Sequence, residues 1–521
     1  MVIGSDRRRR LLLLTCTGWW LGCGGGGGTA ASGGHVADAV TLSAADVTAI
    51  VESAARAVDD TRLVIAVTDR AGRVLGIFKK PEAPATTFGN FGVPVGTVDL
   101  AIALARTGAF FSNNQAPLSS RTVRFISGIH FPPGIPNTTN AALYGIENTN
   151  RGCALNIAFL PGQSVPPATS ISGLPCNAFV QDGCGLGIAT GKPDLVDSDS
   201  AAVNPGGVPV FKDGAVAGGV GVAGVAAPIA EFAAFRGSVP GSEFGPRVAA
   251  PGVIFLDGVE LPFVAQQSQP VGTMPGSADG TWLSGPFDGG LAPEGWLAGP
   301  IASAELSADN VNTIVQKGIE AANHTRAAIR LPLGSTARMV LAVGDLDGNI
   351  LGLYRMEDST VFSIDVAVAK ARNVVYFSGA SRGTDELPGV PIGTAVTNRT
   401  INFGSQPLYP PGIDVESAPE SGPFFESLYG PDTAQACSQG RQAATTNQNG
   451  VVFFAGSVPL YRSGQLVGGL GISGDGVEQD DVVAAAGASG FEAPAALRAD
   501  QIIVRGVRLP YLKFNRNPEV Q

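Results

Sequence analysis

Two kinds of apolar spacing alternate along this chain, and the alternation occurs twice in the same order. Behind Ser43, and again behind Ser307, apolar residues recur every three or four positions, as at Val311, Ile314, Val315 and Ile319. That spacing lines one face of a helix, and Ser43 with Asp46, or Ser307 with Asn310, stands at the separation of an N-terminal capping pair. Next comes an unbroken apolar run, at 63–69 and 340–345, then an Asp/Gly turn and a second run at 74–78 and 350–354. Strand, turn and strand predict a β-hairpin. A helical stretch follows at 97–106 and 363–372, each continuing to a Phe-Ser pair, Phe111-Ser112 and Phe377-Ser378. Long loops with Arg121-Thr122 and Arg399-Thr400 lead to closing hairpins at 207–224 and 457–474. Matching tails end the copies at 255–263 and 504–511.

Eight landmarks kept in order predict two copies of one module, at 41–265 and 303–515. Between them, 266–302 reads as a Gly/Pro-rich linker carrying Trp282 and Trp296. Each copy has an insert ahead of its closing hairpin, at 136–203 and 414–450, and loops of that length usually bind something. Glycines 468–474 lie inside a strand. A dinucleotide fingerprint instead needs a strand, glycine turn and helix, so these glycines serve close packing or the approach of a flat ligand.

Composition narrows the function. Only 15% of the 521 residues are charged, the net charge is −10, and nothing basic persists beyond the N-terminus, so nucleic acid is excluded as a partner. Three histidines, His35, His130 and His324, argue against a metal centre built from several imidazoles. No Gly-x-Ser-x-Gly elbow and no His-Glu-x-x-His helix is present. Arg7 to Arg10, an apolar stretch at 11–21 and Leu21-Gly22-Cys23 predict an export signal at 1–22 resembling a bacterial lipobox, although Trp20 stands where that pattern prefers Leu. Cys23 is then the lipidation site, 23–40 a flexible tether, and the lipid the only membrane contact; ordinary cleavage in the Gly/Ala stretch is the alternative. The expected location is the periplasmic face or cell surface, on the outer membrane if the cell is Gram-negative. Cys153, Cys176, Cys184 and Cys437 remain. Cys176 and Cys184 flank a loop that a local bridge can close, whereas Cys153 and Cys437 hold equivalent places in the two inserts and suit a bridge between copies.

The second copy carries Arg355-Met356-Glu357-Asp358, an Asp-x-Ala-x-x-Lys-Ala helix ending at Lys370, then Pro459, Gly464, Gly468 to Gly474 and Gln479-Asp480-Asp481. This combination resembles the GlcG/HbpS family, also called haem-degrading or DUF336. The first copy follows the pattern more weakly. The resemblance implies an α+β class, with two tandem profilin-like domains that each pack helices on an antiparallel sheet of about five strands. It also implies assembly into oligomers and, in some members, binding of haem or iron. Fold transfers better than function across such families.

On that basis the expected function is an exported, non-catalytic haem- or iron-binding protein whose modules pair through a pseudo-symmetric interface, with homo-oligomers open. The alternative is an envelope scaffold whose inserts hold a protein partner; a sensor of small molecules or oxidative stress is a third. Lys370 reads as an amphipathic lysine on a solvated or oligomer-facing side, or as a cation for a haem propionate, with Arg355 beside it in the motif. His324 reads as a favourable charge at a helix C-terminus or a haem ligand, His130 as a loop residue, and Tyr409 as an axial oxygen. Asp475, Glu478, Asp480 and Asp481 read either as acids favoured at a helix N-terminus or as oxygen ligands for iron or another hard cation. Copy one has Leu104 in place of Lys370, and Val225-Ala-Ala-Pro-Ile-Ala-Glu231 in place of the acidic cluster.

Overall fold

The computed structural model describes residues 40–88, 94–135, 138–146, 149–150, 153, 205–247, 254–410, 420–429, 437–443, 445 and 447–514. The export signal, Cys23, Cys176, Cys184, most of the first insert and part of the second lie outside them.

In the first module Ser43 caps α1 (Ala44–Arg56), and the Asp46 carboxylate accepts from the Ser43 N–H at 2.8 Å, so the predicted capping pair forms. The hairpin β1 (Val64–Asp69) and β2 (Val74–Lys79) follows, then a small hairpin, β3 (Thr86–Phe88) with β4 (Pro94–Gly96), that the apolar pattern did not signal. The central helix α2 (Thr97–Phe111) leads to α3 (Ser120–Phe125), where a loop was expected. Ser119 and Thr122 cap α3 reciprocally, but six residues are too few for a periodic signal. The closing hairpin β5 (Gly207–Lys212) and β6 (Ala215–Ala223), helix α4 (Ala227–Ser238) and the tail hairpin β7 (Phe255–Leu256) and β8 (Val259–Glu260) complete it.

The expected linker supplies instead one outer strand to each module. β9 (Thr281–Ser284) pairs backward with β2, and β10 (Gly295–Ala298) pairs forward with β12 (Ile350–Arg355). Both belong to a Trp-Leu-x-Gly-Pro segment, and each tryptophan does the same work. Trp282 packs edge-on against Phe78 at 5.5 Å and over Gly76; Trp296 packs against Tyr354 at 5.4 Å and over Gly352. The second module continues with α5 (Ala308–His324), β11 (Val340–Gly344), α6 (Ser363–Ser378), α7 (Asn398–Gly404), β13 (Ser457–Arg462), β14 (Gln465–Ser473), α8 (Val477–Gly487) and the tail hairpin β15 (Ile503–Val504) and β16 (Val507–Arg508).

The result is two five-stranded antiparallel sheets of matching order, β5-β6-β1-β2-β9 and β13-β14-β11-β12-β10. Each sheet is covered on both faces, which is why its strands read as unbroken apolar runs. Leu341 and Val343 point into the core shared with α5 and α8, while Val340 and Ala342 point toward α6. The glycine-rich strand lies directly under the central helix. A Cβ on Gly469 or Gly471 would overlap the carbonyl oxygens of Ala371 or Ala367, and Gly219 and Gly221 stand the same way to Ala105 and Ala101. Those glycines therefore serve close packing, and no face remains there for a flat ligand.

The modules meet head to tail, not through the expected pseudo-symmetric interface. The first presents the turn end of its sheet: Arg70 from the β1–β2 turn, Phe111 from the end of α2, and the Asn114-Gln115 loop. The second presents its opposite end. Asn114 N–H donates to Asp358 at 3.0 Å, Gln115 Nε2 to the Leu331 carbonyl at 2.8 Å, and Val361 N–H to the Phe110 carbonyl at 3.0 Å. Phe111 stacks on Phe362 with 4.1 Å between ring centres. The repeat equivalent of Phe111 is Phe377, which is buried elsewhere, against Tyr144, Phe424 and Phe453. A Cys153–Cys437 disulfide ties the two inserts together across the modules.

Candidate functional site

Lys370 is buried completely, which corrects the solvated or oligomer-facing position expected of it. Its ammonium donates to the Ile472 carbonyl at 2.7 Å and to Asp480 Oδ2 at 2.9 Å, and lies 5.0 Å over the Phe454 ring. Room for the pair comes from Gly456, where a Cβ would fall 2.5 Å from Asp480 Cβ and 2.7 Å from Lys370 Nζ. In the first module the same space is shared by Leu104 and Ala230, each 3.3 Å from a Cβ built on the equivalent Gly206. One scaffold thus closes over an ion pair in one copy and an apolar pair in the other. Burial dominates both groups' chemistry: it pushes the Asp480 carboxyl up to about 7 despite Lys370, and pushes the Lys370 ammonium down.

The remaining carboxylates do not converge on an ion. Asp481 accepts from Arg399 at 2.5 Å and from the Lys513 N–H at 3.0 Å; Glu231 with Arg121, at 2.6 Å, is its counterpart in the first module. Asp475 accepts from Arg330 at 2.5 Å and the Arg338 N–H at 2.7 Å, and Glu478 meets Lys513 at 3.2 Å. Among the described residues no three His, Cys, Asp or Glu side chains are grouped to hold a metal. The expectation that Asp475, Glu478, Asp480 and Asp481 jointly ligate iron is corrected accordingly: each is paired with an arginine or a lysine, and Glu478 and Asp481 share Arg399.

Three other expected ligands also lie apart. Arg355 is buried, and its guanidinium donates to the Ser359 and Pro293 carbonyls and, at 3.3 Å, to the Glu294 carboxylate, so it is committed to groups within the protein. His324 is the exposed last residue of α5, in keeping with a cation at a helix C-terminus. Tyr409 packs against Phe403, with its hydroxyl 3.4 Å from the Val504 carbonyl. Arg372, on the face of α6 away from Lys370, donates to the Gly348 carbonyl at 2.9 Å, as Arg106 does to Gly72 at 2.8 Å. This arginine braces the β-hairpin turn in both copies.

The seam between modules encloses a cavity of about 700 Å³. Phe111, Leu118 and Ile126 of the first module wall it with Ile329, Phe362 and Phe454 of the second. Its buried end holds Asp480, Ser473 and Thr360, and Ser363 Oγ lies 2.8 Å from the Thr360 hydroxyl and 2.9 Å from that of Ser473. Its open end carries Arg326, Lys513, Glu478 and Asp257. A second hollow of about 560 Å³ adjoins it, sharing Leu256, Asp257, Phe454 and Lys513. No sequence signal marked Phe362, Phe454, Thr360 and Ser473 as a site, because part of the wall belongs to the other copy.

A haem group tests this cavity in two ways. Its apolar walls and the cations at its mouth suit a macrocycle bearing carboxylates. Its lining contains no His, Cys, Met or Tyr among the described residues, so the usual axial ligands are missing. The macrocycle fits and the iron finds no ordinary ligand.

Residues 306–489 match the family of haem degrading proteins of the HbpS-like type. An uncharacterized 15.0 kDa protein from the dhaT-dhaS intergenic region of Citrobacter freundii is 27% identical over 146 residues, covering 28% of this chain and 70% of its own length. Among solved structures, the Klebsiella pneumoniae protein ORFY of the DUF336 family aligns at 19% identity over 35% of this chain and 88% of its own, with a TM-score of 0.23. A PduOC–haem complex aligns at 22% over 37% and 98%, with a TM-score of 0.24. A double mutant of Streptomyces reticuli HbpS aligns at 19% over 38% and 97%, with a TM-score of 0.20.

The two copies together define a double-mutant cycle. Asp480→Ala alone strands a buried ammonium and costs about 3–5 kcal/mol, whereas Lys370→Leu with Asp480→Ala is neutral or stabilising. The pair also sets a pH dependence. Asp480 keeps its proton in the folded protein at pH values where the unfolded chain has lost it, so wild-type stability falls as pH rises from about 4 to about 7. Urea titrations across that range check both points: the double variant should give a flatter profile, and a double variant as unstable as the single one contradicts the account.

Proposed function

We propose that this chain, whose residues 306–489 form an HbpS-like module, binds haem or a related tetrapyrrole in the cavity between its modules and does so without catalysis. The observation that carries the reading is the seam cavity itself, with apolar walls from both modules and Arg326 and Lys513 at its mouth. A tetrapyrrole would be held there by burial of its macrocycle, at roughly 25 cal/mol per Å² of apolar surface, and by its carboxylates meeting the two cations. Iron plays little part in this mode, since among the described residues the lining offers it no imidazole, thiolate, thioether or phenol. The described parts of the inserts are spent on internal packing, as at Tyr144, Phe424 and Leu428, which favours this reading over a partner-binding scaffold.

Haemin and iron-free protoporphyrin IX should therefore quench the tryptophan fluorescence of the protein with affinities equal to within roughly threefold. Phe111→Asp should weaken both together, and His324→Ala neither. Haemin binding that far exceeds protoporphyrin binding, or that disappears in His324→Ala, would overturn the proposal.

The proposal extends to location. The Arg-rich, apolar N-terminus ending in Cys23 supports export with lipid attachment, and the Cys153–Cys437 bridge suits an oxidising compartment. Cys23→Ser should move the protein from the membrane fraction to the soluble one in fractionated cells; unchanged membrane association would contradict lipidation.

A further inference from the structure

The buried end of the seam cavity differs from its walls, and its residues ask for a different chemistry. Asp480 is 2% exposed and stands in the cavity lining. Its Oδ2 takes the Lys370 ammonium, while its Oδ1 is buried without a hydrogen-bond partner. An unpaired carboxylate oxygen inside a protein is destabilising, and more so when it is charged. The hydroxyls of Thr360 and Ser473 line the same end, both tied to Ser363.

The fold does not require this arrangement. The first module builds the same helix, glycine and closing strand around Leu104 and Ala230, with Ala223 where Ser473 stands. A buried ion pair is often no more stable than its apolar replacement, so its presence at only the one of the two equivalent positions that opens on the cavity needs a reason other than stability. Charge narrows that reason. Lys370 already balances Asp480, Arg330 balances Asp475, and Arg399 balances Asp481. A second cation at Oδ1 would be in excess, and an anion would face the carboxylate. A neutral donor completes the set.

We infer that the Asp480–Ser473–Thr360 end of the cavity is a binding subsite for the hydroxyl group of an uncharged aromatic or alicyclic alcohol. Its O–H donates to Asp480 Oδ1, its oxygen accepts from the Thr360 hydroxyl, and its apolar body lies among Phe111, Phe362 and Phe454. The inference goes beyond tetrapyrrole binding, because it concerns the polar end of the cavity and not the walls and mouth.

The probes are 2-naphthol and its methyl ether, 2-methoxynaphthalene, which keeps the body and loses the donor. Fluorescence titration of the full chain should give 2-naphthol at least about tenfold the affinity of the ether, as for a site built to bond a hydroxyl. In the Lys370→Leu/Asp480→Ala variant, which carries the pair the first module tolerates, that preference should fall to about one while the ether's own affinity is unchanged. Asp480→Asn, which keeps the shape and an acceptor oxygen, should retain part of the preference. Equal affinity of the two probes for the wild type overturns the inference and leaves a water molecule as the occupant of that end. A preference that survives in the double variant also overturns it. Protoporphyrin IX measured alongside keeps the two readings separate: its binding rests on the walls and mouth, and should persist in the double variant whichever way the naphthol comparison falls.

Discussion

Phe111 lies flat on Phe362, and that contact fixes the relation of the two halves. It belongs to one continuous core in which the end of α2 packs against Val361, Ile364 and Phe454 of the second module. Arg70 reaches across the same seam, donating to the carbonyl of Ala109 on its own side and, at 3.5 Å, to that of Ser359 on the other. Because the contact joins opposite ends of equivalent sheets, it uses different residues from each copy. It is heterologous in the sense applied to subunits. A two-fold pairing would have produced equal walls; this one gives the seam cavity unlike walls.

That asymmetry explains how the copies diverged. Features that hold the fold are kept in both: the capping pairs, the arginine that braces the hairpin turn, the Arg399–Asp481 and Arg121–Glu231 ion pairs, and the glycines under the central helix. Features that line the cavity are kept only where the cavity is. Asp480 and Ser473, with Lys370 behind Asp480, stand in the second copy, and Ala230, Ala223 and Leu104 hold their places in the first. Comparison within one chain thus separates the groups that hold the fold from those that differ beside the cavity.

Much of the fold was legible because it rests on local patterns. Capped helices, apolar strands and Asp/Gly turns each leave a periodic or positional trace, and their repetition in order exposed the two modules. The sheet edges were less legible: the strands around Trp282 and Trp296 have four residues each and sit among glycines and prolines that read as linker. The tandem Trp-Leu-x-Gly-Pro segments were the available signal. For the site, the motif rightly drew notice to Lys370 and Asp480 but not to their union, since charged residues are seldom wholly buried and composition favours placing them in water. Asp475, Asp480 and Asp481 are close in sequence yet pair with Arg330, Lys370 and Arg399, because Asp475 precedes the helix and adjacent helix positions point to different sides. The cavity walls could not be read at all, as they arise only when residues some 250 positions apart are brought together by the seam.

The account's central claim is that the seam between the modules is where ligand resides. Its most direct test is a crystal structure of the full chain grown with protoporphyrin IX. Macrocycle density between Phe111, Phe362 and Phe454, with its carboxylates directed toward Arg326 and Lys513, is the predicted result. Density at any other surface with the seam cavity unfilled would contradict it.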